Sequence, residues 1–103
     1  MSNNKSANPD FDLDVENQTA EPKQYKVLLL NDDYTPMDYV IFVLKKFFTK
    51  NETDAYAIML DVHNKGAGVA GIYSFEVAET KVSQVNKLSK ENQYPLKTTL
   101  EEI

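Results

Sequence analysis

Short apolar segments separated by polar or glycine-rich stretches predict three β-strands in this chain. Tyr25 to Leu30 is rich in Val, Leu and Tyr, and its continuous apolar part is typical of a strand buried on most of its surface. Val69 to Phe75 becomes strand-like among glycines, which predict a bend or a close approach between backbones. Leu96 to Glu101, directly after a proline, predicts a last strand at a sheet edge.

Apolar residues spaced three and four apart predict a first helix after the hinge that ends the first strand. Thr35 is predicted to be the N-cap and Pro36 the first helical position, and Asp38 favours the positive end of the helix. The helix is expected to run down to Lys50. Its core-facing stripe consists of Met37, Val40, Ile41, Leu44, Phe47 and Phe48.

Two further helices are predicted by the same spacing. Asn51, with Asp54 three residues later, resembles an N-cap, and Gly66 supplies a left-handed stop for the second helix. The third helix covers Glu76 to about Asn92, with Glu and Lys on its outer face. The core-facing residues are Ala55, Ile58, Met59 and Val62 in the second helix, and Ala78, Val82, Val85 and Leu88 in the third.

The order β-α-α-β-α-β predicts the α+β class, as a small sandwich in which three helices cover one face of a three-stranded antiparallel sheet. This core domain is expected at residues 24–103. Residues 1–23 contain three large apolar residues, Phe11, Leu13 and Val15, among polar and acidic ones, so we expect a disordered N-terminal extension. With 103 residues, the chain is predicted to form one domain.

Composition narrows the classes of function. The chain has no cysteine, which excludes disulfides and thiolate metal sites and fits a reducing cytosol. Its 11 basic residues are all lysines and stand against 16 acidic ones, giving a net charge of −5. Phosphate binding needs dense positive charge, so we expect no nucleic-acid partner. No apolar run approaches the roughly 20 residues that cross a bilayer, and we expect a cytoplasmic protein without a membrane partner.

Three polar residues stand at the end of the first predicted strand, Asn31, Asp32 and Asp33. Asn and Asp are common turn formers after a strand, which explains them without any function. Beside an apolar surface, however, two carboxylates and an amide suit a cationic ligand, because buried polar groups are stable only when their hydrogen bonds are made. Both interpretations remain open from these residues alone.

The one histidine of the chain, His63, lies four residues after Met59, so both face the same side of the second predicted helix. A lone histidine near a helix C-terminus is more often a partner of the helix dipole than a ligand-binding group. The functional interpretation treats Asn31, Asp32 and His63 as convergent acceptors beside an apolar wall. A metal site or an acid–base pair is a weaker interpretation, because no metal-binding or nucleophile motif is present.

Four separated motifs resemble the ClpS adaptor family. They are Tyr25-Lys-Val, Asn31-Asp-Asp-Tyr-Thr-Pro-Met37, Met59-Leu-x-Val-His63 and Val77-Ala-Glu-Thr-Lys-Val82, in the correct order between Gln24 and the C-terminus. This resemblance implies an adaptor, without catalytic activity or cofactor, that binds proteins beginning with Leu, Phe, Tyr or Trp. It would deliver these N-degron substrates to the ClpA unfoldase of the ClpAP protease and so regulate which proteins are degraded.

The resemblance also implies roles for individual residues of this sequence. The α-amino group of the substrate would be bound by Asn31, Asp32 and His63. The pocket for the substrate side chain would be lined by Thr35, Met37, Val40, Met59, Val62 and Leu96. The hinge would be shaped by Asp33 and Pro36. The N-terminal domain of the unfoldase would contact Glu76, Glu79 and Lys81. We expect the adaptor to act as a monomer.

The main alternative is a non-adaptor interaction module with a similar order of helices and strands, such as a ribosomal-stalk-like domain. Such a module has no need for Asn31, Asp32 and His63 to converge. A metal-dependent hydrolase is a third interpretation, which tight binding of a divalent ion would distinguish. The positions of these three side chains in the folded protein therefore separate the first two interpretations.

Overall fold

A computed structural model describes residues 22–103 of the protein. The elements are β1 (Gln24–Leu30), α1 (Met37–Phe48), α2 (Glu52–Lys65), β2 (Ala67–Ser74), α3 (Phe75–Glu91) and β3 (Lys97–Glu102). The predicted order and the α+β class are confirmed. Residues 1–21 lie outside the described residues, so the disordered extension stays a prediction. Within residues 22–103, no helix combines the length and the apolarity that a membrane span requires.

The three strands form one antiparallel sheet in the order β2-β1-β3. β1 is central because it pairs with both others, with Val27 opposite Gly71 of β2 and Leu100 of β3. Its Val27 and Leu29 side chains are fully buried, as its apolar stretch predicted. In the described sheet β3 pairs with β1 alone, so the prediction of an edge strand is confirmed.

Each helix buries part of the stripe that its spacing predicted. The predicted residues Ile41, Phe47, Ile58, Val82 and Leu88 are half-buried and pack against the core, and Val43, which was not predicted, is fully buried. The fully or almost fully buried residues are Val40, Val43, Leu44 and Phe48 in α1, Ala55, Met59 and Val62 in α2, and Ala78 and Val85 in α3. Met37 was expected to face the core, but it is 47% exposed because the first residue of α1 lies over a surface cavity. The core-facing residues of α1 therefore begin at Tyr39 and Val40.

The ends of α2 follow their local signals. The Asn51 side chain accepts a hydrogen bond of 2.8 Å from the backbone N–H three residues on, and Gly66 has a φ of 90°. Both predictions are confirmed. The expected close approach of a glycine also exists, because a Cβ on Gly68 would lie 2.8 Å from Cγ2 of Val62 and 3.0 Å from the carbonyl oxygen of Ile58. Strand β2 thus packs directly against the C-terminal half of α2.

The ends of α1 differ from the prediction. Pro36, rather than Thr35, is the N-cap, and the helix ends at Phe48, with Thr49 in the left-handed conformation at φ 52°. Thr35 does not cap the helix because its hydroxyl donates instead to Oδ2 of Asp32, at 2.8 Å. The prediction of Thr35 as N-cap was therefore wrong, and the hinge is longer than expected.

The seam between α3 and β3 is held by polar pairs. Asn86 Nδ2 donates to the carbonyl of Thr98, and Asn86 Oδ1 accepts from the N–H of Thr98, each at 3.0 Å. Nearby, the buried hydroxyls of Tyr39 and Ser89 share a hydrogen bond of 3.0 Å that joins α1 to α3. Among buried side-chain polar atoms of residues 22–103, the Thr98 hydroxyl is the one without a partner.

Candidate functional site

A cavity of about 230 Å³ lies where the N-terminal end of α1 meets the C-terminal end of α2. Its lining residues are Asn31, Asp32, Asp33, Thr35, Met37, Val40, Met59, Val62 and His63. Every one of these was named from the sequence as a site or hinge residue. The convergence of Asn31, Asp32 and His63 on one cavity, which the non-adaptor module did not require, is therefore present in the structure.

A single backbone contact explains why the hinge and the end of α2 meet. The N–H of Asn31 donates to the carbonyl of Gly66 at 3.0 Å, and the preceding residue, Leu30, pairs with Ala67 in the sheet. The β1–β2 pairing therefore places the end of β1 beside the left-handed turn that ends α2. As a result, Asn31 and His63, which are 32 positions apart in the chain, line the same cavity.

Asp32 organises the hinge. Its Oδ1 accepts from the backbone N–H of Tyr34 at 2.8 Å and of Thr35 at 2.7 Å, and its Oδ2 accepts from the Thr35 hydroxyl at 2.8 Å. A carboxylate has about four acceptor positions, so this turn leaves roughly one of them for a ligand. The carboxylate is thus held in place and still able to accept one further hydrogen bond.

The same contacts keep Asp32 ionised. Burial by itself would raise the pKa of its carboxyl, but the backbone N–H groups of Thr35 and Tyr34 and the Thr35 hydroxyl stabilise the charged form. Their combined effect prevails, and the pKa of Asp32 lies below its ordinary value of 3.8. The cavity therefore contains a negative charge at every physiological pH.

Asn31 and His63 differ from Asp32 in having free side chains. Both are exposed, and within residues 22–103 neither side chain makes a hydrogen bond. His63 lies in the last turn of α2, one turn after the buried Met59. An Asn side chain, and a neutral imidazole, each offer an acceptor atom, so this side of the cavity has hydrogen-bonding capacity that folding does not use.

The apolar part of the cavity lining comes from the two helices. Val40, Met59 and Val62 are each at most 5% exposed and form its deep wall, whereas Met37 stands at its rim. The lining thus combines hydrogen-bond acceptors with aliphatic and thioether groups. A ligand that matches this lining has a cationic, hydrogen-donating head directly attached to an apolar body.

Three predicted site residues need separate comment. Leu96 does not line the cavity; it is 4% exposed and belongs to the main hydrophobic core, because the chain enters the edge strand β3 at this point. The prediction that it lies in the pocket wall is therefore not supported by the described cavity. Asp33 lines the cavity, although the hydrogen bonds that shape the hinge come from Asp32. Pro36 starts α1, since its carbonyl accepts from the backbone N–H of Tyr39 and of Val40.

The predicted docking residues lie on α3, away from the cavity lining. Glu76 and Glu79 are exposed, but Lys81 is half-buried and its Nζ donates to the carbonyl of Phe47 at 2.7 Å. The same ammonium lies 5.7 Å from the ring centre of Phe48 and 5.3 Å from that of Tyr73. Lys81 therefore joins the C-terminal end of α1 to α3, where a cation also balances the helix dipole.

The surface around these docking residues includes groups that sequence reasoning did not select. A shallow groove on α3 is lined by Glu76, Val77, Thr80, Lys81 and Gln84. Val77 is 44% exposed, although an apolar residue on a helix is usually read as facing the core. In the sequence, the exposure of Val77 was indicated by its spacing, because it falls outside the core-facing stripe that contains Ala78 and Val85.

Within residues 22–103, no group of three or more His, Cys, Asp or Glu side chains is arranged to hold a metal ion.

Sequence comparisons agree on one family. The family described as ATP-dependent Clp protease adaptor protein ClpS matches residues 20–99. The ATP-dependent Clp protease adapter protein ClpS of Bdellovibrio bacteriovorus is 68% identical over 81 residues, covering 79% of this chain and 71% of that protein. The ClpS of Caulobacter vibrioides strain NA1000 is 52% identical over 88 residues, covering 85% of this chain and 81% of the relative.

A solved structure agrees with both the sequence and the fold. The structure of Agrobacterium tumefaciens ClpS2 bound to L-phenylalaninamide superposes with a TM-score of 0.78 and 41% sequence identity. The match covers 81% of this chain and all of the other chain. These relatives are named as adaptors of a protease. The chain belongs to the ClpS family of ATP-dependent Clp protease adaptor proteins.

Proposed function

We propose that this protein is an adaptor that binds the N-terminal residue of N-degron substrates, namely Leu, Phe, Tyr or Trp, and delivers those proteins to a ClpA-type unfoldase. One observation supports the binding step most directly: the acceptors Asn31, Asp32 and His63 line the same cavity as the apolar Met37 and Val40. A free N-terminus with a bulky apolar side chain has a cationic head on an apolar body, which is the chemistry that this cavity matches.

The α-amino group is the proposed ligand of the acceptor side. A free α-amino group has a pKa of about 7.7 to 8.0, so it is mostly an ammonium group with three donors at neutral pH. Each charge-assisted hydrogen bond contributes about 1.5 to 3 kcal/mol. Asp32 supplies the negative charge, and Asn31 and His63 supply neutral acceptors. Three donors thus meet three acceptors.

The apolar side of the cavity is the proposed site for the substrate side chain. Burying a Leu or Phe side chain stabilises a complex by about 1.5 to 3 kcal/mol. An N-terminal Lys or Asp would bring a charge against Val40 and Val62 without a partner, and an internal Phe would leave the acceptors unpaired. Selectivity for both the terminus and the side chain therefore follows from the two sides of one cavity. We propose that Met37, at the rim, limits entry of β-branched side chains through its shape.

The solved relative supports this choice of ligand. Agrobacterium tumefaciens ClpS2 was solved with L-phenylalaninamide bound. That molecule has a free α-amino group and a phenylalanine side chain, and its amide mimics a following peptide bond. The ligand of a structure that superposes over 81% of this chain thus has the chemistry inferred here from the cavity lining.

Delivery requires a second surface, which we assign to α3. Glu76 and Glu79 are exposed there beside a shallow groove that includes Val77. We propose that the N-terminal domain of the unfoldase contacts this face, with Lys81 acting mainly by joining α3 to α1. The protein itself would act as a monomer in the cytoplasm, without catalytic activity or cofactor. A charge-reversal test, Glu76→Lys against Glu91→Lys at the far end of α3, should weaken unfoldase binding in the first variant alone.

The test of the binding step is calorimetry with two peptides that begin with Phe. One has a free α-amino group, and the other has the same sequence with an acetylated N-terminus. Acetylation removes the ammonium and at least two charge-assisted hydrogen bonds, so we expect its affinity to be lower by about a hundredfold or more. Equal affinities would contradict the proposed function. A third peptide with an N-terminal Lys should bind as poorly as the acetylated one.

A further inference from the structure

The cavity contains two sulfur atoms that differ sharply in exposure. Met37 and Met59 both line it, but Met37 is 47% exposed whereas Met59 is 3% exposed. The chain has three methionines and no cysteine, and the third methionine, Met1, lies outside the described residues. Thioether sulfur is therefore the only sulfur available to an oxidant in this chain. Within residues 22–103, its accessible copy lies at the rim of the proposed binding site.

We infer that Met37 is an oxidation site, and that its conversion to the sulfoxide by a peroxide lowers the affinity of the cavity for apolar side chains. The inference rests on the proposed function, since it concerns regulation of the same site. A sulfur lone pair attacks one oxygen of hydrogen peroxide, the O–O bond breaks and an S–O bond forms. The other oxygen leaves as hydroxide and takes up the proton of the transferred oxygen, which gives water. Sulfur loses two electrons and the peroxide gains them.

Oxidation changes the apolar side of the cavity into a mixed one. A sulfoxide is polar and its oxygen needs a hydrogen-bond donor. The hydroxyl that lines the cavity, Thr35 Oγ1, already donates to Asp32 Oδ2 at 2.8 Å. Water can supply a donor to the sulfoxide oxygen, and a Phe or Leu side chain entering the cavity would displace that water without replacing its hydrogen bond. Binding is therefore weakened at the side-chain step, while the Asp32 charge is unchanged.

The magnitude follows from the cost of removing a polar group from water. By comparison with mutational data on buried polar groups, the affinity for a peptide beginning with Phe or Leu should fall by roughly fivefold to a hundredfold. Met59 should not produce this effect, because its burial among core residues keeps peroxide away from its sulfur. The two methionines thus form a matched pair on one cavity, one accessible and one protected.

The experiment compares the full chain with its Met37→Leu and Met59→Leu variants. Each protein is treated with hydrogen peroxide, the oxidised positions are identified by mass spectrometry, and the affinity for a free-amine Phe peptide is measured by calorimetry. Each affinity is expressed relative to the untreated sample of the same variant. The parent and Met59→Leu should lose roughly fivefold to a hundredfold, Met37→Leu should lose nothing, and a methionine sulfoxide reductase should restore the parent.

Three results would overturn the inference: unchanged affinity when Met37 is fully oxidised, a loss that persists in Met37→Leu, or preferential oxidation of Met59. Thermal melting of each treated sample shows whether a loss of affinity reflects unfolding, and a parent that unfolds at full Met37 oxidation would also overturn it. Failure of the proposed function is a separate result. It would appear before peroxide is added, as equal binding of free and acetylated peptides.

Discussion

Two regions of this protein place polar side chains beside buried apolar surface, and they use them in opposite ways. At the α3–β3 seam, both polar ends of the Asn86 side chain are bonded to the backbone of Thr98, at 3.0 Å each. At the cavity, the side chains of Asn31 and His63 make no hydrogen bond within the described part of the chain. The seam uses its hydrogen-bonding capacity to join two elements of the fold, whereas the cavity leaves part of its capacity unused.

Asp32 combines both uses, because part of its hydrogen-bonding capacity is used in the hinge and part is unused. Three donors from the hinge hold its carboxylate in position, and roughly one acceptor position is left over. The difference between the regions is therefore one of remaining capacity rather than of residue type, since an asparagine occurs in both. The following predictions test that difference, beginning with the largest expected change in free energy.

Removing the seam asparagine should affect stability and not binding. Asn86→Ala leaves the N–H and the carbonyl of Thr98 without their partners, which should lower the free energy of unfolding by about 2 to 4 kcal/mol. Urea denaturation measures this change. The control is Asn92→Ala, which removes one exposed hydrogen bond to Leu88 at the end of the same helix and should cost less than about 1 kcal/mol. If both variants lost the same free energy of unfolding, the two hydrogen bonds of Asn86 would contribute no more than the one exposed hydrogen bond of Asn92.

Changing the hinge carboxylate should affect binding more than stability. In Asp32→Asn the amide oxygen can still accept from Tyr34 and Thr35, so the turn is kept while the charge is lost. Calorimetry with a free-amine Phe peptide should show affinity reduced by roughly tenfold to a hundredfold, or about 1.5 to 3 kcal/mol. Asp33→Asn makes the same charge change one residue away and should have a smaller effect. A larger effect at Asp33 would show that the amine binds to Asp33 rather than to Asp32.

A packing change where β2 meets α2 should disturb both properties. Gly68→Ala introduces a Cβ against the backbone carbonyl of Ile58 and against Val62, which lines the cavity. We expect unfolding free energy to fall by about 1 to 3 kcal/mol, with weaker peptide binding because α2 must shift. Gly71→Ala is the comparison variant, because its Cβ meets the Tyr73 ring rather than α2, so any loss of stability there should leave peptide binding unchanged. Loss of stability with unchanged binding would show that the cavity is independent of this contact.

The smallest expected effect is a pH dependence of binding. An imidazole accepts a hydrogen bond only when neutral, so affinity should weaken several-fold as acidification protonates the His63 ring. Asp32 stays ionised in neutral and mildly acidic solution: its pKa is lowered below 3.8, so the stability from its ionised form is complete above that value and is lost only as the pH falls through its lower folded pKa. His63→Gln keeps an acceptor and should bind with a flat pH profile. If the affinity of the parent does not change with pH, His63 does not bind the amine.

Short-range features of this protein could be predicted from its sequence. The Asn51 cap, the Gly66 stop and the helical stripes depend on residues within one or two turns of each other. The cap and the stop were confirmed, and the stripes were confirmed except at Met37 and at positions that are only half-buried. Every residue of the cavity lining was also named, because the motifs of the hinge and of α2 resemble those of one family. Prediction failed where one side chain had two possible hydrogen-bond partners. Thr35 was expected to cap α1, but its hydroxyl is bonded to Asp32 instead.

The sequence by itself thus determined which segments form helices and strands, the charge of the hinge and the types of side chain available to a site. Only the tertiary structure decided the sheet order β2-β1-β3, the burial of Leu96 in the core and the meeting of Asn31 with His63. The physical reason is that these outcomes depend on contacts between residues far apart in the chain. The contact from Asn31 to Gly66 joins positions that no local periodicity relates, and it forms because pairing β1 with β2 brings them together.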